Sequence, residues 1–136
     1  MDTTAAESRH LSTYVDRPAQ QVYDYASDPS HLPAWAPGLG SSVEEVDGKW
    51  IVDSPMGRVE VAFAPRNEFG VLDHTVALPS GETFYNPMRV TVHGSGCEVV
   101  FTLRRQPELS DEEFARDADA VSADLVALKR VMESTD

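Results

Sequence analysis

The sequence predicts an α+β domain in which a seven-stranded, curved antiparallel sheet closes around a long C-terminal helix, with two short helices after the first strand. Three observations carry this. From Ser41 to Arg105 apolar and polar residues alternate with period two, and Gly, Pro and Asn clusters cut the run at regular intervals. Phe114, Ala118, Val121, Leu125, Leu128 and Met132 recur at helical spacing and form one apolar stripe. The 136 residues are enough for a single core without disulfide or metal support.

Each element has its own signal. Leu11, Thr13 and Val15 alternate with His10, Ser12 and Tyr14, which predicts a first strand over 10–16. Pro18 suits the first turn of a helix, with Asp16 near the cap, and Ala19, Val22, Tyr25 and Ala26 continue it to about Ser27. Asp28-Pro29 ends that helix, and the segment up to Pro37-Gly38 holds only a short second one. Turn signals at Asp47-Gly48, Pro55-Met56-Gly57, Arg66-Asn67-Glu68, Pro79-Ser80-Gly81 and Gly94-Ser95-Gly96 divide the β region into strands at 42–46, 49–54, 57–64, 70–78, 82–93 and 97–105. Ser110 and Glu113 form a capping box at the start of the last helix, and acidic residues in its first turn suit the helix dipole. A flexible N-terminus over 1–9 and one domain over 10–133 are expected.

Turn chemistry fixes the register. Pro79 and Gly81 favour a type I turn closed by a glycine bulge, which sets Leu78 opposite Glu82. Leu72, His74 and Val76 then face Met88, Asn86 and Phe84. A tight Gly94-Ser95 turn sets Cys97, Val99, Phe101 and Leu103 opposite Val92, Val90, Met88 and Asn86, and Val59, Val61 and Phe63 extend the same apolar face. On that face only His74 and Asn86 are polar, as cross-strand neighbours.

Twenty-three acidic residues against eleven basic ones give a formal charge of −12, which repels phosphate backbones and anionic headgroups. Nucleic acid is not an expected partner. The start of the chain lacks the basic and apolar regions of a secretion signal, and no apolar run is long enough to enter a bilayer as a helix, so a soluble, cytoplasmic protein is expected. Cys97 is the single cysteine, and no His or Cys spacing suggests a metal; neither metal nor cofactor is expected.

Three stretches carry a family likeness. Tyr14-Val-Asp-Arg-Pro-Ala-Gln-Gln-Val-Tyr-Asp-Tyr-Ala-Ser-Asp-Pro29, followed by Leu32-Pro-Ala-Trp35, resembles the opening of the SRPBCC (START-like) superfamily. Ala64-Pro-Arg-Asn-Glu-Phe-Gly-Val-Leu-Asp-His74 and Asn86-Pro-Met-Arg-Val90 resemble a bacterial subgroup labelled polyketide cyclase. The likeness spans about 10–133 and implies a helix-grip fold. For function it implies a range that includes ligand carriers, lipid-transfer domains and aromatase/cyclases. The Rieske motif of the ring-hydroxylating members is missing, which disfavours oxygenase chemistry.

The residues then offer three functions. The first is binding of a small hydrophobic or aromatic molecule between sheet and C-terminal helix, lined by Trp35, Leu72, His74, Asn86, Met88, Phe101, Phe114 and Val121. The second is a cyclase, dehydratase or hydrolase with His74 as general base, and the third a protein-interaction domain. Each residue also has a plainer role. His74 can be a core histidine satisfied by Asn86 or water, Trp35 can pack into the core, and Met88, Phe101 and Phe114 can fill a closed interior. The likeness implies a lid role for Trp35. Asp73 is expected on the opposite face, paired at the surface with Arg89.

Overall fold

A computed structural model describes residues 7–37 and 39–134. The chain order is β1 (Ser8–Val15), α1 (Ala19–Ala26), a 3-10 turn (Pro29–His31), α2 (Leu32–Trp35), β2 (Ser42–Val46), β3 (Lys49–Ser54), β4 (Gly57–Phe63), β5 (His74–Ala77), β6 (Thr83–Asn86), β7 (Met88–His93), β8 (Gly96–Arg104) and α3 (Asp111–Glu133). All strand pairs are antiparallel, and they fall into two hydrogen-bonded groups, β1-β8-β7 and β2-β3-β4-β5-β6. The fold is the α+β helix-grip arrangement that the sequence predicts.

The predicted registers hold, except that Leu103 has no ladder partner at Asn86, since the β7–β8 pairing ends at Met88 and Phe101. His74 pairs with Asn86 and Val76 with Phe84, and Leu78 N–H donates to the Glu82 carbonyl at 2.8 Å. Gly81, at φ +95°, takes the left-handed position that the bulged turn requires. Met88 pairs with Phe101 and Val90 with Val99, while Val61 and Phe63 pair with Val76 and His74. His74 is therefore on the inner, apolar face.

Among the described residues eight strands replace the predicted seven because 82–93 does not run as one. Pro87 has no N–H to give the ladder, and the Met88 N–H donates instead to the Asp73 carboxylate at 2.9 Å. The predicted strand over 70–78 shortens to His74–Ala77 at the same place. The register nevertheless continues past the break: Leu72 N–H donates to the Met88 carbonyl at 2.8 Å, Val90 N–H to the Gly70 carbonyl at 2.9 Å, and Val71 bridges Arg89. Gly70 is required here, since its φ is +73° and a Cβ would sit 2.1 Å from the Val90 carbonyl oxygen. Val92, placed on the apolar face by alternation, is 77% exposed because it lies at the hairpin end beyond the helices. β1 begins at Ser8, within the stretch expected to be flexible; residues 1–6 lie outside the described residues.

The helices cover the inner face unevenly. The closest approaches of α3 are to β1, β8 and α2, and those of α1 are to β7 and β8. Asp16 does not cap α1, whose N-cap is Pro18; the Asp16 amide donates to Glu133 Oε2 at 2.8 Å. The capping box of α3 forms as predicted, with Glu113 N–H on Ser110 Oγ at 3.1 Å and Ser110 N–H on Glu113 Oε1 at 3.0 Å. Leu125, Leu128 and Met132 of α3 join Val52, Val61, Leu72, Met88 and Val99 of the sheet side in one core.

Candidate functional site at the inner face of the sheet

Five of the eight candidate residues form one patch. Leu72 and Met88 face each other across the β5–β7 junction, Met88 pairs with Phe101, and His74 pairs with Asn86. Leu72 and Met88 are buried, whereas Asn86 and Phe101 are half-buried. The His74 ring lies between two others, 5.0 Å from Phe63 and 5.9 Å from Phe101.

His74 is 7% exposed, and its Nδ1 lies 3.0 Å from the Leu72 carbonyl oxygen. A carbonyl can only accept, so Nδ1 carries the hydrogen and Nε2 holds the free lone pair. Burial pushes the imidazole below its ordinary value of 6.5, and neither the Leu72 bond nor the nearby Asp73 charge offsets this. The ring is neutral at pH 7. Among the described residues Nε2 has no hydrogen-bond partner, and Asn86 does not supply one.

The other face of the same junction holds Asp73, whose carboxylate accepts from Tyr85 Oη at 2.5 Å, Met88 N at 2.9 Å, Arg89 Nε at 2.8 Å and Arg89 Nη2 at 2.9 Å. These donors, the Arg89 guanidinium first, hold it well below the usual carboxylate range. The expected pair with Arg89 forms. The expected surface position does not, since Asp73 is 4% exposed: its oxygens fill the ladder gap that Pro87 leaves.

The remaining candidates belong to the helices. Trp35 in α2 is 4% exposed and joins the core, and its Nε1 has no acceptor among the described residues. Val121 packs against the core from α3. Phe114 is fully buried but lies outside that central cluster, with the Arg9 guanidinium 4.7 Å and the Arg105 guanidinium 5.4 Å from its ring centroid. It is packed under two arginines at the start of α3.

Two open clefts lie nearby, and none of the eight candidates lines either. One of about 480 Å3 is on the outer face, over Ile51, Glu60 and Ala77. The other, of about 350 Å3, lies where Ser27 and Pro29 approach β3 and β4, and Trp50, Val61 and Phe63 contribute to it from the inner face. Sequence reasoning did not single out Phe63 as a site residue; its register position opposite His74 was the available signal.

Residues 8–133 match the family model described as polyketide cyclase / dehydrase and lipid transport. The chain belongs to this family. Solved structures agree on the fold of this cyclase/dehydrase and lipid-transport family member. XoxI from Bacillus cereus is 18% identical with a TM-score of 0.69, covering 93% of this chain and 95% of its own. A START superfamily protein from Mycobacterium smegmatis is 12% identical with a TM-score of 0.70, covering 93% and 97%. Truncated norcoclaurine synthase from Thalictrum flavum is 15% identical with a TM-score of 0.65, covering 96% and 95%. No curated protein sequence matches the chain. Among the described residues no helix is long and apolar enough to cross a membrane, and no three His, Cys, Asp or Glu side chains are grouped as metal ligands would be.

Proposed function

We propose that the protein binds a small, neutral, apolar or aromatic molecule bearing a hydroxyl or amine hydrogen against the inner wall of its sheet. The observation that carries this is His74: a neutral imidazole with an unpartnered Nε2 acceptor, beside Asn86, on an otherwise apolar wall. Among the described residues the buried side-chain atom without a partner is Trp35 Nε1, not His74 Nε2, so a ligand donor takes over a hydrogen bond that Nε2 otherwise accepts from water. A charged ligand is disfavoured, since this wall has no ion to pair with it. Family membership and fold support the same reading.

The test compares 2-naphthol with naphthalene, which differ by one hydroxyl. The native protein is expected to prefer 2-naphthol by about fivefold to tenfold, the worth of one buried hydrogen bond. His74→Phe is expected to remove that preference. Equal preference in the two proteins, measured by fluorescence titration, would overturn the assignment. A second reading rests on the same atom: Nε2 is a base already free of its proton at neutral pH, which suits proton abstraction next to a ketone in a cyclase-like reaction.

A further inference from the structure

A residue outside the candidate set stands beside His74. Phe63 is the last residue of β4, half-buried, and it belongs to two places at once. Its side chain lines the open cleft beside Ser27, Pro29 and Trp50, and its ring lies 5.0 Å from the His74 ring. Phe101, 5.9 Å from the His74 ring, is held in β8 between β1 and β7. Phe63 thus touches both an open space and a nearly closed polar group.

We propose that the Phe63 side chain is the gate through which an apolar ligand passes from this cleft to His74. The inference rests on the ligand-binding reading above and adds its entry route. The backbone around the gate stays fixed, because Phe63 pairs with His74 in the β4–β5 ladder and the Ala64 N–H donates to the Asp73 carbonyl at 2.8 Å. Opening is therefore a side-chain rotation. The two rings meet at 43°, neither stacked nor edge-on, so rotation gives up little aromatic attraction. The ring then swings toward a cleft of about 350 Å3 that has room for it.

Two readouts separate the gate from the ligand. Diethyl pyrocarbonate acylates the free nitrogen of a neutral imidazole, and peptide mapping reports the rate at His74 without any ligand. Phe63→Ala is expected to speed that rate about tenfold, because the reactive fraction follows the open population. Phe63→Trp, which fills the passage, is expected to slow it by a similar factor. The second readout is the association rate of 2-naphthol by stopped-flow fluorescence, expected to change in the same two directions. Acylation at His74 unchanged within about twofold in both variants overturns the gate, since access would then not follow the open fraction. If acylation responds and native protein fails to bind 2-naphthol, the gate stands and the binding reading falls.

Discussion

At the residue scale, three of the buried polar groups among the described residues are each handled differently. Asp73 has four donors and is fully used; His74 has one nitrogen committed and one free; Trp35 has its single donor unused. The last gives a prediction about stability. Trp35→Phe removes a buried N–H that has no acceptor but also some core volume, so unfolding by urea is expected to show a loss well below the roughly 3–5 kcal/mol that truncating a buried Trp to Ala costs. A loss of that size would mean the indole hydrogen is satisfied in solution. The adjacency of His74 and Asn86 was legible in the sequence, because Pro79 and Gly81 dictate the turn and the turn dictates the pairing. The arginine packing of Phe114 was not, since Arg9 reaches it from β1, at the far end of the sequence.

At the element scale, the sequence shows where strands begin and turn but not where a ladder is interrupted from within. Residues 82–93 read as one continuous run, and the missing N–H of Pro87 was the unused signal of a break. What could not be read was the repair. A side chain from the neighbouring strand substitutes for a backbone acceptor, and alternation says only which face Asp73 occupies, not that its carboxylate folds back into the ladder. Asp73→Ala leaves the Met88 N–H and the Arg89 guanidinium without their acceptor. It is expected to cost about 2–3 kcal/mol, discounted for the half-exposed arginine. Asp73→Asn keeps one acceptor oxygen and is expected to cost less, and urea unfolding of the pair measures both. Equal losses in the two variants would show that charge, not the Met88 bond, dominates.

At the scale of the whole molecule, the buried His74 and Asp73 are expected to add their own acid responses, His74 first and Asp73 after it, to that of the surface carboxylates. His74 is held below 6.5 in the folded state, so as pH falls past that value the unfolded chain takes up the proton first and stability declines, by up to about 1.4 kcal/mol per pH unit. Asp73 is held below its ordinary 3.8, so its contribution persists to lower pH and is lost only beneath that value. His74→Phe is expected to flatten the first response and leave the second, as read from thermal midpoints between pH 7 and pH 3. The order of elements and the α+β class were legible because each has local punctuation; the uneven cover of the sheet was not, because it depends on where helices land. That closure has a consequence for synthesis. β1 pairs with β8, from Ser8 opposite Arg104 to Val15 opposite Cys97, and the end of α3 ties back to the start through Asp16 with Glu133 and Lys129 with Tyr14. During synthesis β1 therefore waits for β8 before it finds its partner, and the nascent chain carries an uncovered apolar sheet until α3 is made.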